Sequence, residues 1–185
     1  MKYYSTNKQA ANASLQEAVV KGLAPDKGLY MPEKIEKLPE SFFNNIGELS
    51  FQEIAYKVAY NFFGEDAEPE ILKEIVYDTL NFNTPVVHVN DNIYSLELFH
   101  GPTLAFTDVG ARFMARLLGS FIKKQGQKTV KVLVATSGDT GSAVANGSLG
   151  VEGLHVYVLY PHVKVRPIQE CPFPTLGKNI NEIEI

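Results

Sequence analysis

The sequence predicts an α/β protein: a helical N-terminal region followed by a partial three-layer βαβαβ parallel sheet. Three observations carry this prediction. Apolar residues recur at steps of three and four through the first half. Beyond Pro85, strand-like and helical segments alternate. A turn from Gly138 to Gly141 joins an apolar, β-branched run to a helix. The expected division is 1–84 as the mainly helical region and 85–185 as the first part of an α/β domain.

The elements follow in order. Ser14 and Glu17 have capping-box spacing, in which the hydroxyl accepts from an orphan helix N–H and the carboxylate reaches back. Leu15, Ala18 and Val19 then fall on one face, and Gly22 can stop the helix. Ser50 and Glu53 repeat the signature ahead of Phe51, Ile54, Ala55, Val58, Ala59 and Phe62, with Gly64 as the stop. Pro69 suits a first helical position because its missing N–H costs nothing there. Ile71, Leu72, Ile75, Val76 and Leu80 supply that helix's apolar face.

Ile93–Phe99 reads as a strand broken by His100-Gly101-Pro102. A helix is expected from about Thr107 to Lys124, with Thr107 or Asp108 as its N-cap. Val130–Ala135 reads as a strand buried on both faces. A short helix follows Gly141, and Leu154–Tyr160 is the next strand. Strand–helix–strand–helix–strand makes two βαβ units, whose crossovers are nearly always right-handed. Ile180–Ile185 alternates like a further strand just opening, so a truncated chain is expected, prone to self-association through its incomplete sheet.

Composition removes several functions. With 17 basic and 21 acidic side chains the net charge is −4, which gives no footprint for nucleic acid or an anionic membrane. No apolar run approaches a membrane span. A single cysteine and no signal peptide point to the cytoplasm. His88, His100, His155 and His162 lack metal-ligand spacing, so no metal site is expected. Cys171 has no base beside it and makes a poor nucleophile.

Two segments can carry chemistry. Thr136-Ser137-Gly138-Asp139-Thr140-Gly141-Ser142 lies at the carboxyl end of a strand, where doubly wound folds bind ligands. Glycines allow a close backbone approach, and free N–H groups with the helix dipole favour an anion. The segment lacks the P-loop ending and the dinucleotide spacing, so a small carboxylate or phosphate fits better than a nucleotide. A plain helix-capping turn is the alternative. The second segment, Leu96 to Asp108, also lies between a strand and a helix and can line the same crevice. His100 stands beside it. Lys164 and Arg166 follow the third strand and can meet an anionic substrate or sit solvated.

Leu98-Phe99-His100-Gly101-Pro102-Thr103-Leu104-Ala105-Phe106, with Asp108-Val109-Gly110-Ala111-Arg112-Phe113, resembles the threonine synthase family. So do Tyr4-Ser5-Thr6, Gly22-Leu23-Ala24-Pro25-Asp26, Gly28-Leu29-Tyr30, Ala135 to Ser142, Pro167-Ile168-Gln169-Glu170 and Thr175-Leu176-Gly177. The resemblance implies a pyridoxal-phosphate enzyme of the tryptophan-synthase-β fold type. Such an enzyme converts O-phosphohomoserine and water to threonine and phosphate, and its N-terminal portion is present here. By the same resemblance, Ser137, Gly138, Asp139, Thr140, Gly141 and Ser142 hold the substrate carboxylate. His100, Thr103, Phe106, Asp108 and Lys164 line the site.

One position departs. The family's Schiff-base lysine falls at Thr107, whose hydroxyl cannot form an imine and is a poor base. The expectation is therefore an inactive chain without covalently bound pyridoxal phosphate. The competing expectation is a non-catalytic small-anion, amino-acid or interaction protein derived from the same fold.

Overall fold

The computed structural model describes residues 1–126, 129–136, 138–161 and 177–185. Ser137, Lys164, Arg166 and Cys171 lie outside the described residues. The chain forms two compact units, Met1–Asp78 and Thr79–Ile185.

In the first unit, β1 (Tyr3–Ser5) pairs antiparallel with β2 (Tyr30–Pro32). Helix α1 (Leu15–Lys21) starts as its sequence dictates, Glu17 N–H donating to Ser14 Oγ at 3.2 Å. The reciprocal half of that box is not formed; the Glu17 carboxylate pairs with Lys21 instead. A short α2 (Glu40–Asn44) leads to α3 (Phe51–Phe63), which carries both halves of the Ser50–Glu53 box and ends at Gly64. Helix α4 begins at Pro69 and runs to Thr79. Its Leu72, Ile75 and Val76 are buried, whereas the expected apolar face of α3 buries only Ala59 and leaves Phe51 and Val58 exposed.

The loop between β1 and β2 is organised by Asp26. Its carboxylate accepts from Ser5 Oγ at 2.6 Å and from the N–H groups of Gln9, Ala10 and Gly28 at 2.9–3.0 Å. The Ser5 hydroxyl above all, aided by those amides, holds the acid below the usual carboxylate range.

In the second unit, β3 (Val86–Asn90) and β4 (Ile93–Leu96) form an antiparallel hairpin. The Ile93 strand therefore does not open the parallel sheet. Asp91, at φ +47, makes the tight connection that only antiparallel neighbours can use. Helix α5 spans Asp108–Gln125 and ends at Gly126 in the left-handed conformation, with Lys123 and Lys124 in its last turn opposing the helix dipole.

The parallel sheet is built from β5 (Val130–Ala135), β6 (Leu154–Tyr160) and β7 (Ile180–Glu184), in the order β5-β6-β7. Val130 aligns with Leu154, and Val156 with Ile180. Helix α6 (Asp139–Ser148) covers one face, where Ala145, Val156, Val158 and Ile180 form a cluster joined by Val132, Val134, Val144 and Leu149. Burying each such valine is worth about 1.5–3 kcal/mol, an upper figure for a real unfolded chain.

The expectation that Val130–Ala135 is buried on both faces fails. It is an edge strand with alternating burial, and Leu133 on its outer face is 72% exposed. Helices α5 and α6 meet at Gly147, where a β-carbon would lie 3.0 Å from the Ala111 carbonyl carbon and the Arg112 nitrogen. Asn179 ties the loop after α6 to β7, donating to Ser148 O at 2.9 Å and Leu154 O at 2.8 Å and accepting from Gly150 N–H.

Candidate functional site

The segment between β4 and α5 is a self-contained loop built around Asp108. That carboxylate is fully buried and accepts from Thr103 N–H at 2.9 Å and from Thr103 Oγ1 at 2.6 Å. Gly101 is required beside it, since a β-carbon there would lie 2.5 Å from Asp108 Oδ2. Leu104 turns the chain at φ +60, donating its N–H to Gly101 O. Asp108 N–H then returns to Ala105 O at 3.1 Å. A leucine in the left-handed region is uncommon and costs on the order of 1 kcal/mol, which the surrounding bonds offset.

Thr107 precedes this carboxylate at the start of α5. The expected capping role is not realised: its backbone is already helical, at φ −74 and ψ −9, and its side chain makes no cap hydrogen bond. Its Oγ1 is buried with no hydrogen-bond partner among the described residues. A buried unsatisfied hydroxyl costs about 1–3 kcal/mol, so local folding alone does not explain the residue.

Thr103 and Asp108, expected along the crevice, face each other inside the loop. Phe106 projects outward, 67% exposed. His100 Nε2 lies 2.7 Å from Glu97 Oε2, and its ring centroid is 4.8 Å from that of Phe99.

The second segment connects β5 to α6. Thr136 N–H donates to Leu159 O, which fixes the strand end. Its hydroxyl oxygen then occupies the turn, accepting from Gly138 N–H at 3.1 Å and Gly141 N–H at 3.3 Å. Two of the amides expected to receive an anion are therefore satisfied internally. Gly141 and Ser142 are buried, while Asp139 and Thr140 remain exposed at the helix start. Gly138, at φ −171, is in extended backbone open to any residue.

The two segments are brought together by small side chains. Ala105 of the first, Ala111 of α5 and Ala143 of α6 form one buried cluster with Val144 packed against it. The sequence reading missed the Thr136 brace and the Thr103–Asp108 pair. Their only linear signal is a hydroxyl residue five positions before a glycine or an aspartate. Two hollows of about 380 and 580 Å³ lie in the first unit, the larger beside Phe42 and Tyr60. Among the described residues, no helix is long and apolar enough to cross a membrane and no three His, Cys, Asp or Glu side chains gather as metal ligands.

At Thr107, where the resemblance places the family's reactive lysine, stands a hydroxyl, which cannot form the covalent link to pyridoxal phosphate, so the residue present there does not fit such attachment.

Comparison with known proteins gives a consistent result. The family model described as "Threonine synthase N terminus" matches residues 2–80. Threonine synthase of Escherichia coli strain K12 is 40% identical over 185 residues, covering 100% of this chain and 42% of the relative. That of Schizosaccharomyces pombe is 38% identical, over 94% of this chain and 36% of the relative. Among solved structures, threonine synthase from Escherichia coli aligns with a TM-score of 0.88 at 39% identity, over 100% of this chain and 42% of that one. A PLP-bound threonine synthase from Brucella melitensis aligns with a TM-score of 0.87 at 31% identity, over 94% and 38%. The chain thus spans well under half the length of these relatives.

Proposed function

The chain belongs to the threonine synthase family, of which it matches the N-terminal portion, and on that premise we propose that it keeps the family's substrate-facing loops without the means to attach the cofactor. In the family, O-phosphohomoserine and water give threonine and phosphate, and pyridoxal phosphate, when bound, supplies an electron sink. Here Thr107 stands at the position of the reactive lysine. Its buried hydroxyl, without a partner among the described residues, is the observation that carries the reading. A hydroxyl there neither forms an imine nor exchanges protons near neutral pH.

The segment from Ser137 to Ser142 is the candidate receiver of the substrate carboxylate, with the start of α6 as its electropositive end. Because Thr136 holds the Gly138 and Gly141 amides, the readiest contacts are at Asp139 and Thr140. The division of roles belongs to the same reading: 1–84 as the family's N-terminal region, supported by the family match over 2–80, and 85–185 as the first part of the catalytic domain.

The test compares the unmodified chain with Thr107→Lys. Each is mixed with pyridoxal phosphate, reduced with borohydride and mapped for the adduct. The expected result is no adduct at position 107 in the unmodified chain, an adduct at 107 in Thr107→Lys, and no threonine from either. Threonine formation by the unmodified chain overturns the reading. Saturable binding of O-phosphohomoserine or threonine by that chain would favour a non-catalytic amino-acid-binding role over a chain with no remaining ligand.

A further inference from the structure

We propose that Asp108 is the positioning residue for the side chain at position 107, acting through a lock on Thr103 that aims that side chain into the protein. The inference rests on reading 107 as the family's reactive-lysine position, and it extends that reading to a second residue.

The geometry is local and closed. Asp108 is fully buried, and among the described residues both hydrogen bonds to its carboxylate come from one residue, Thr103. That pairing draws residues 103 to 108 into a ring, with Leu104 forced left-handed and Ala105 buried against Ala111 and Ala143. Gly101 packs so near that a β-carbon added there would lie 2.5 Å from Asp108 Oδ2. Thr107 is carried on the last turn of this ring, its N–H neighbour Asp108 tied to Ala105 O and its own carbonyl accepting from Ala111 N–H at 2.9 Å. A side chain at 107 therefore has its backbone fixed from both directions.

The independent sign of a built position is the Thr107 hydroxyl. A surface threonine at a helix start would turn its oxygen to a backbone amide or to water. This one is buried and, among the described residues, pairs with neither cap nor neighbour. The loop pays that cost because its shape is set by Asp108 and Thr103, whatever residue stands at 107. A group placed there is shielded from water while the lock holds, which a reactive amine requires.

A thiol reports the shielding directly. Thr107→Cys in a Cys171→Ser background leaves one thiol in the chain. Its rate of modification by iodoacetamide is measured against pH, beside urea unfolding of each variant. The expected result is slow modification with Thr103 and Asp108 intact. Thr103→Val should raise the rate about tenfold, as loss of one hydrogen bond to a charged acceptor implies, and Thr103→Ser should restore protection. Asp108→Asn should behave as Thr103→Val does.

Equal rates in all variants overturn the proposal, as do rates that follow global stability with no dependence on residue 103. Should Asp108→Asn fail to fold, the Thr103 pair decides alone. Failure of Thr107→Lys to form an adduct, with protection still controlled by Thr103, refutes the cofactor reading and leaves the lock standing. An adduct in Thr107→Lys with unprotected thiol does the reverse.

Discussion

Asp26 and Asp108 each organise a loop, by opposite means. Asp26 draws four donors from three separate stretches of the first unit, the Ser5 hydroxyl and the amides of Gln9, Ala10 and Gly28, and it remains half open to water. Among the described residues, Asp108 takes both of its side-chain hydrogen bonds from Thr103, and it has no exposure. A partly wet carboxylate with many donors tolerates the loss of one, because water replaces it. A dry carboxylate with a single partner residue does not. The first loop is a redundant clasp, the second an all-or-nothing lock, and only the second sits beside a position where chemistry is expected.

The steric side of this comparison gives the largest effect. A β-carbon at Gly28 would stand 2.0 Å from Ser5 Oγ and 2.8 Å from Asn7 N, and Ser5 is fully buried, so the hydroxyl has nowhere to retreat. Gly28→Ala should cost about 3 kcal/mol, the upper end for overpacking. Urea unfolding of the first unit would show it. A loss below that of Gly101→Ala, whose β-carbon meets only the Asp108 side chain, would mean the clasp is looser than its bonds imply.

Next comes the lock. Asp108→Ala removes both Thr103 bonds and leaves the part-buried threonine donors without that acceptor. A destabilisation of about 2–3 kcal/mol is expected, measured by urea unfolding of the second unit. Asp26→Ala should cost less, since the Gln9 and Ala10 amides, unlike the buried Ser5 hydroxyl and Gly28 amide, can donate to water. The opposite ranking would break the distinction between clasp and lock.

How much of this was legible in advance depends on range. The Ser50–Glu53 capping box, Pro69 at the start of α4 and the Gly64 stop were readable because each is settled within four residues. The parallel β5-β6 pairing was readable from two β-branched runs and the helix between them. The β3–β4 hairpin was not, because the alternation of Val86–Asn90 is only four residues long, both its faces are exposed, and its identity as a strand depends on Ile93–Leu96 beside it. The candidate site was legible as two segments beside α5 and α6, and its internal bonding was not. Residue types located Thr107 and the Gly138–Gly141 turn, but that Thr136 fills the turn and Asp108 grips Thr103 depends on side-chain directions that no spacing encodes.

A smaller effect separates the two carboxylates by titration. The pKa of Asp26 in the folded chain is depressed, chiefly by the Ser5 hydroxyl. An acid whose folded value lies below its unfolded value adds stability that is complete above the unfolded value and is lost as pH falls through the folded one. Stability of the first unit should therefore decline on acidification below the ordinary aspartate range, and Asp26→Asn should flatten that acid limb. An unchanged acid limb in the variant would show that the donors hold the neutral side chain as well as the anion.

The smallest effect has the opposite sign. Thr107→Val exchanges the buried hydroxyl for a methyl of similar volume, on a residue that makes no cap bond. An unpaired buried hydroxyl is a net cost, so the variant should be more stable by about 1 kcal/mol, seen as a higher urea midpoint at unchanged slope. The same exchange at Thr103, where the hydroxyl is paired to Asp108, should destabilise. The contrast between two threonines four residues apart tests whether the loop spends its polar groups on holding position 107 and none on satisfying it. A loss of stability in Thr107→Val would mean that water or another group already meets that hydroxyl, and the position would then read as an ordinary helix start.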